Sequence, residues 1–183
     1  QSIGLTSLTG TAMRSGTTSN SGGSISCVAS KSDQVLTLYE NEKDSSACQS
    51  NVYTFRSGLH GLEVFACPSK GVYLGTGTTL TESTAIKKGG AVSANLCSVE
   101  MFNTSIINGT SLTGDGGAVM VSLESTLRVG EASLMRNNRA KQGSGGAVSC
   151  HDCDTMSFSG GTRFESNIAH KSGGAIHLSL PTT

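Results

Sequence analysis

Gly89-Gly90-Ala91-Val92, Gly116-Gly117-Ala118-Val119, Gly145-Gly146-Ala147-Val148 and Gly173-Gly174-Ala175-Ile176 are four copies of one tetrad. Their leading glycines are separated by 27, 29 and 28 residues. Gly22-Gly23-Ser24-Ile25 starts a further unit near the N-terminus. Gly61-Leu62-Glu63-Val64 satisfies the same offset, with a β-branched residue three positions after the glycine. Self-similarity at such a period is the mark of a stacked repeat and takes precedence over any single residue.

Other positions keep time with the glycines. Nine residues before the leading glycine stand Met13, Val52, Leu80, Ile107 and Phe164, with Met135 displaced by one. Three residues further on come Gly16, Ser83, Thr110, Asn138 and Asn167, and two beyond those Thr18, Ser57, Ala85, Leu112, Ala140 and Ala169. Alternating apolar pairs lie between: Ile3 and Leu5, Leu36 and Leu38, Val72 and Leu74, Val99 and Met101, Leu127 and Val129, Met156 and Phe158. Period-two alternation bounded by Gly, Asn, Ser and Asp is the strand signal. Three short strands per unit of about 28 residues, with constant offsets, predict an all-β solenoid: a right-handed parallel β-helix of about six rungs. The unit from Gly22 to Gly61 is longer, and its excess is a polar insertion over about 39–51. Ile3 and Leu5 already stand in strand phase and Ile176 begins another rung, so the reading is one β-helix over 1–183, open at both ends.

Composition narrows the function classes. Thirteen basic and thirteen acidic side chains give a net charge of zero, and charged residues are only 14 % of the 183. A neutral chain with no basic block lacks the footprint of a nucleic-acid binder. No apolar run reaches the roughly 18–20 residues that span a bilayer as a helix. The Gly-Gly pairs recur in every unit, whereas a phosphate-cradling loop occurs once and opens a helix.

Phe164-Glu165-Ser166-Asn167 followed by Gly173-Gly174-Ala175-Ile176 resembles the signature of the chlamydial polymorphic membrane protein repeat, Phe-x-x-Asn with Gly-Gly-Ala-Ile. Met135 to Asn138 with Gly145 to Val148 matches with Met in place of Phe, while Ile107 to Thr110 and Leu80 to Ser83 keep only the glycine half intact. The resemblance implies the passenger portion of an autotransporter-like surface protein, a parallel β-helix used for adhesion to host cells. Similar repeats occur in surface proteins of algae and protists. No translocator barrel is legible in these residues.

Six cysteines, Cys27, Cys48, Cys67, Cys97, Cys150 and Cys153, read as disulfides of an extracellular protein. Cys27 and Cys67 hold nearly the same offset from Gly22 and Gly61 and are expected to bridge neighbouring rungs; Cys150 and Cys153 close a local loop, which pairs Cys48 with Cys97 by elimination. The alternative for Cys150-His151-Asp152-Cys153 is a zinc half-site with His177 one rung on, but no second close ligand pair exists. Neither metal nor cofactor is expected. Asn103-Thr104-Ser105 and Asn108-Gly109-Thr110 are glycosylation sequons, meaningful only in a eukaryotic source; Asn108, next to an inward Ile107, is the better acceptor.

Glycan-cleaving β-helices need carboxylates that converge, and Asp115, Asp152, Asp154 and Glu165 sit at different offsets, so an enzyme is not expected. A scaffold remains, either an adhesive surface passenger or a filament or coat subunit stacking through its ends. Its partner is a surface protein or glycan of a host or neighbouring cell, or another copy of itself. The insertion, with Glu40, Glu42, Lys43 and Asp44, is the candidate contact loop.

Overall fold

The computed structural model describes residues 7–8, 12–19, 21–28, 37–39, 51–57, 60–67 and 71–180. One rung shows how the chain coils. Ser98–Phe102 runs along a first wall, Ser105–Ile107 along a second, Thr110–Ser111 along a third and Val119–Ser122 along a fourth. Equivalent strands of successive rungs pair in parallel, so each wall is a five-stranded parallel sheet. A rung therefore holds four strands rather than three. The two-residue strand of the third wall is too short to display alternation in the sequence.

Each wall is five strands deep, one fewer than the six rungs expected. Ile25–Val28 pairs directly with Val92–Asn95, and Ser7–Leu8 with Gly71–Leu74. The described residues between Val28 and Gly71 belong to none of the four walls. Between those points Thr37–Tyr39, His60–Cys67 and Asn51–Ser57 form an antiparallel sheet with His60–Cys67 in the middle. Gly61 to Val64 thus starts no rung, and Val52 pairs with Phe65 instead of joining a stack. Alternation is common to parallel and antiparallel strands, and one glycine at the right offset imitated the repeat. Ile3, Leu5, Leu36 and most of the expected insertion lie outside the described residues.

Elsewhere the ladder places like on like. Ile25, Val92, Val119, Val148 and Ile176 are consecutive partners on the fourth wall. Val72, Val99, Leu127 and Met156 form one column of the first wall, and Leu8, Leu74, Met101, Val129 and Phe158 form the next. On the second wall the column is Met13, Leu80, Ile106, Met135 and Phe164. Ile106, not Ile107, occupies it. The turns into Gly116 and Gly145 are one residue longer than those into Gly89 and Gly173, so a fixed count back from Gly116 lands one position late. The same slip moves Leu112 to Ser111 and Thr110 to Gly109 in the neighbouring stacks. Leu74, Leu80, Met101, Ile106, Leu127 and Met135 are all fully buried, and each contributes roughly 1.5–3 kcal/mol of burial.

The third wall carries small inward residues: Ala85, Ser111 and Ala140 are buried. The glycine pair that follows explains why it needs them. Gly116 has φ +68, the left-handed conformation that turns the chain into the fourth wall. A Cβ on Gly117 would run into the carbonyl oxygen of Gly146 and the backbone of Arg139 in the next rung. The backbone passes so close to its neighbour that no side chain fits.

The corner between the second and third walls has its own device. The left-handed residues there are Ser15, Glu82, Asn108, Asn137 and Ser166, one in each rung. The next position in the two later rungs is asparagine. Gly109 N–H donates to Asn138 Oδ1 at 2.8 Å, and Asn138 N–H to Asn167 Oδ1 at 3.0 Å. Asn138 Nδ2 donates to the Ile106 carbonyl at 3.1 Å and Asn167 Nδ2 to the Met135 carbonyl at 2.9 Å. Asn138 is completely buried, yet its amide is satisfied on both sides, as a buried polar group must be.

The one-residue distinction on the second wall is open to measurement. Ile106→Ala should destabilise by about 2–5 kcal/mol, whereas Ile107→Ala should cost less than about 1 kcal/mol, compared by urea midpoints. Equal losses for the two variants would contradict the column.

Candidate functional surfaces

Side chains fill the coil, so chemistry or recognition must be sought on its outer walls and corners. Cys150 points inward from Val148–His151, and the chain then turns through Asp152, whose φ is +56. That turn brings Cys153 back to Cys150. The two are disulfide-bonded with Cα atoms 5.9 Å apart, and Cys153 packs against the core. Sulfurs bonded to each other are not thiolate ligands, and no metal-binding group of three or more His, Cys, Asp or Glu side chains occurs among the described residues. Cys97, at the corresponding corner two rungs earlier, donates its N–H to Ser125 Oγ at 3.1 Å; it is buried and also disulfide-bonded.

Cys27 pairs in register with Ala94 of the coil, and Cys67 with Thr37 of the antiparallel sheet, so they are not equal positions on adjacent rungs. Cys48, Glu40, Glu42, Lys43 and Asp44 lie outside the described residues. Asn103 and Asn108 are both exposed at corners, with φ of 48 and 58.

The carboxylates are dispersed. Asp115 closes the turn from the third wall to the fourth, Asp152 and Asp154 lie at the corner from the fourth wall to the first, and Glu165 lies on the second wall. Asp115 nevertheless has a partner that offsets did not reveal. Its Oδ2 is 3.1 Å from His151 Nε2, and its Oδ1 accepts the Ser144 N–H at 2.7 Å. His151 and His177, on successive strands of the fourth wall, have ring centroids 6.0 Å apart. Counting from the glycines places Asp115 and His151 in different units, so no offset links them.

On the first wall, Glu100 and Arg128 are register partners with charged atoms 3.8 Å apart. The Tyr73 and Phe102 rings lie beside them, 5.7 Å between centroids. At the end of the coil Phe158 and Phe164 meet edge to face at 5.2 Å. The last rung leaves Ile168, Leu178 and Leu180 exposed.

Residues 161–179 match the Chlamydia polymorphic membrane protein repeat. This span covers Arg163–Glu165, Ile168–Ala169 and Ile176–Ser179, three of the four strands of the last rung. No curated protein and no solved structure matches the chain.

Replacing both Cys150 and Cys153 by Ala should lower stability by roughly 2 kcal/mol, near the low end for disulfides because the loop is short. Thermal unfolding with and without reductant checks it: the variant should be insensitive at this loop, and an unchanged midpoint would count against a structural bond.

Proposed function

From a chain that carries the Chlamydia polymorphic membrane protein repeat, we propose a non-catalytic β-solenoid displayed at the cell surface, a passenger-like scaffold that binds its partner through lateral walls and corners. The observation that carries this reading is the place of the repeat in the fold. The matched residues form a rung of a continuous parallel coil whose interior is packed side chain, and a coil of this kind presents long, regular outer faces. Disulfides at Cys150–Cys153 and at Cys97 accord with an oxidising, extracellular setting. The non-catalytic reading draws on the separation of Asp115 and Glu165 from each other and from the exposed corner that Asp152 and Asp154 share, since hydrolysis of a glycosidic bond needs two carboxyl groups flanking one bound substrate.

A second reading is a filament or coat subunit that stacks coil on coil, since an unpaired edge of parallel strands can pair with another copy.

Protease treatment of intact producing cells tests the first reading. Loss of the chain from whole cells, with an internal marker preserved, is the expected outcome; full protection from protease would reject surface display. Purified chain at rising concentration should stay monomeric by light scattering. Fibres under negative stain would transfer support to the stacking reading, and cleavage of a glycan panel would overturn both.

A further inference from the structure

Coiling gathers cations that are scattered along the chain. Lys87 and Lys88 lie in the turn from the third wall to the fourth, and Lys141 and Lys171 lie in the equivalent turns of the last two described rungs. Arg139 belongs to the third wall itself, one position before the inward Ala140 and so facing outward. All five are exposed. Backbone bonds stack the turns directly: the Lys141 N–H bonds the Ser111 carbonyl and the Lys171 N–H the Gly143 carbonyl, 2.8 and 3.0 Å. Three rungs separate Lys87 from Lys171, roughly 14 Å at the strand spacing.

The carboxylates near this flank are outnumbered by its cations. Glu82 is 3.4 Å from Arg14, and Asp115, whose oxygens face His151 Nε2 and the Ser144 N–H, is the single carboxylate in these turns among the described residues. None of the five cations has an ion-pair partner among the described residues. The exposed acids Glu124, Asp152 and Asp154 stand at the far corner, beyond the width of the fourth wall. Among the described residues the charge is thus polarised across the section of the coil.

We propose that the flank formed by the third wall and its following turn binds a linear polyanionic glycan running along the coil axis. A polymer is favoured over a small anion because the charges form a line and enclose no pocket. A glycan is favoured over a nucleic acid because the cations are interspersed with Thr84, Thr110, Thr113 and Gln142, which suit sugar hydroxyls, and no Phe or Tyr among the described residues of this flank offers a platform for bases. This deepens the surface-scaffold reading and depends on it for access to glycans. Binding by the purified chain tests the flank alone, while protease treatment of cells tests display, so the two can fail separately.

The full chain, passed over immobilised heparin, should be retained and elute with salt, and it should pass freely over neutral dextran. Arg139→Glu with Lys141→Glu should weaken heparin binding about tenfold or more. Lys87→Ala with Lys171→Ala should weaken it less, and Arg128→Glu on the first wall should leave it unchanged. Circular dichroism of each variant shows whether the coil is intact. Failure of wild-type chain to bind heparin, equal binding by the folded double charge reversal, equal loss with Arg128→Glu, or tighter binding of single-stranded DNA than of heparin would each overturn the proposal.

Discussion

A carbonyl oxygen occupies the space where a side chain would begin on the second glycine of every pair that has a following rung. A Cβ on Gly23 would meet the Gly90 oxygen, one on Gly90 the Gly117 oxygen, one on Gly117 the Gly146 oxygen and one on Gly146 the Gly174 oxygen. The contact passes from rung to rung through the whole coil. It holds the third wall against its neighbours at backbone distance, which forces small inward residues such as Ala85 and Ala140 there and leaves the larger side chains to the other three walls. Because every rung makes the same close approach at the same place, the remaining strands come into register without separate specification. The columns of Val/Ile on the fourth wall and Leu/Met/Phe on the second follow from that alignment.

Polar groups obey the same geometry. A corner that breaks strand pairing leaves backbone amides without partners, and burial makes each such group cost about 1–3 kcal/mol if left alone. At the corner after the second wall Asn138 and Asn167 answer this by reaching from one rung to the backbone of the one before. At the corner after the first wall, Thr104 donates to the Leu74 carbonyl at 2.9 Å and Ser133 to the Gly130 carbonyl at 2.7 Å. These side chains act as extensions of the ladder through the bends. Ser83 and Gly109 stand where later rungs have asparagine, so the first rungs lack this arrangement, and Ser24 and Ser83 instead share a hydroxyl contact of 2.6 Å.

This explains what could be read from the residues and what could not. A feature repeated under steric compulsion, such as Gly-Gly-Ala-Val, appears in sequence as a strict period, and the all-β stacked coil was legible from it. Positions separated from the glycines by a turn of variable length are legible only to within a residue: a fixed count back from Gly116 lands on Ile107, one past the inward Ile106, because the turn containing Asp115 is one longer. Alternation in His60–Cys67 is genuine, but alternation is blind to strand direction, and this antiparallel strand imitates a rung of the parallel coil. Contacts between units were the least accessible. Asp115 and His151 belong to different repeats, and nothing in their offsets announces that their charged atoms stand 3.1 Å apart.

The same reasoning separates sequence charge from surface charge. Linear counting sees thirteen positive and thirteen negative side chains with no block of either sign. In the folded coil the unit of proximity is the rung, so residues about 28 apart become neighbours about 4.8 Å away. Lys141 and Lys171 are 30 apart in sequence, yet they lie in stacked turns, while Asp152, between them in the chain, is carried to another corner. A β-solenoid can therefore be neutral and still present faces of opposite sign, provided that the signs recur at different phases of the repeat. Selection of a partner then depends on which phase carries the charge, and substitutions at one phase can alter one face without disturbing the columns that hold the coil together.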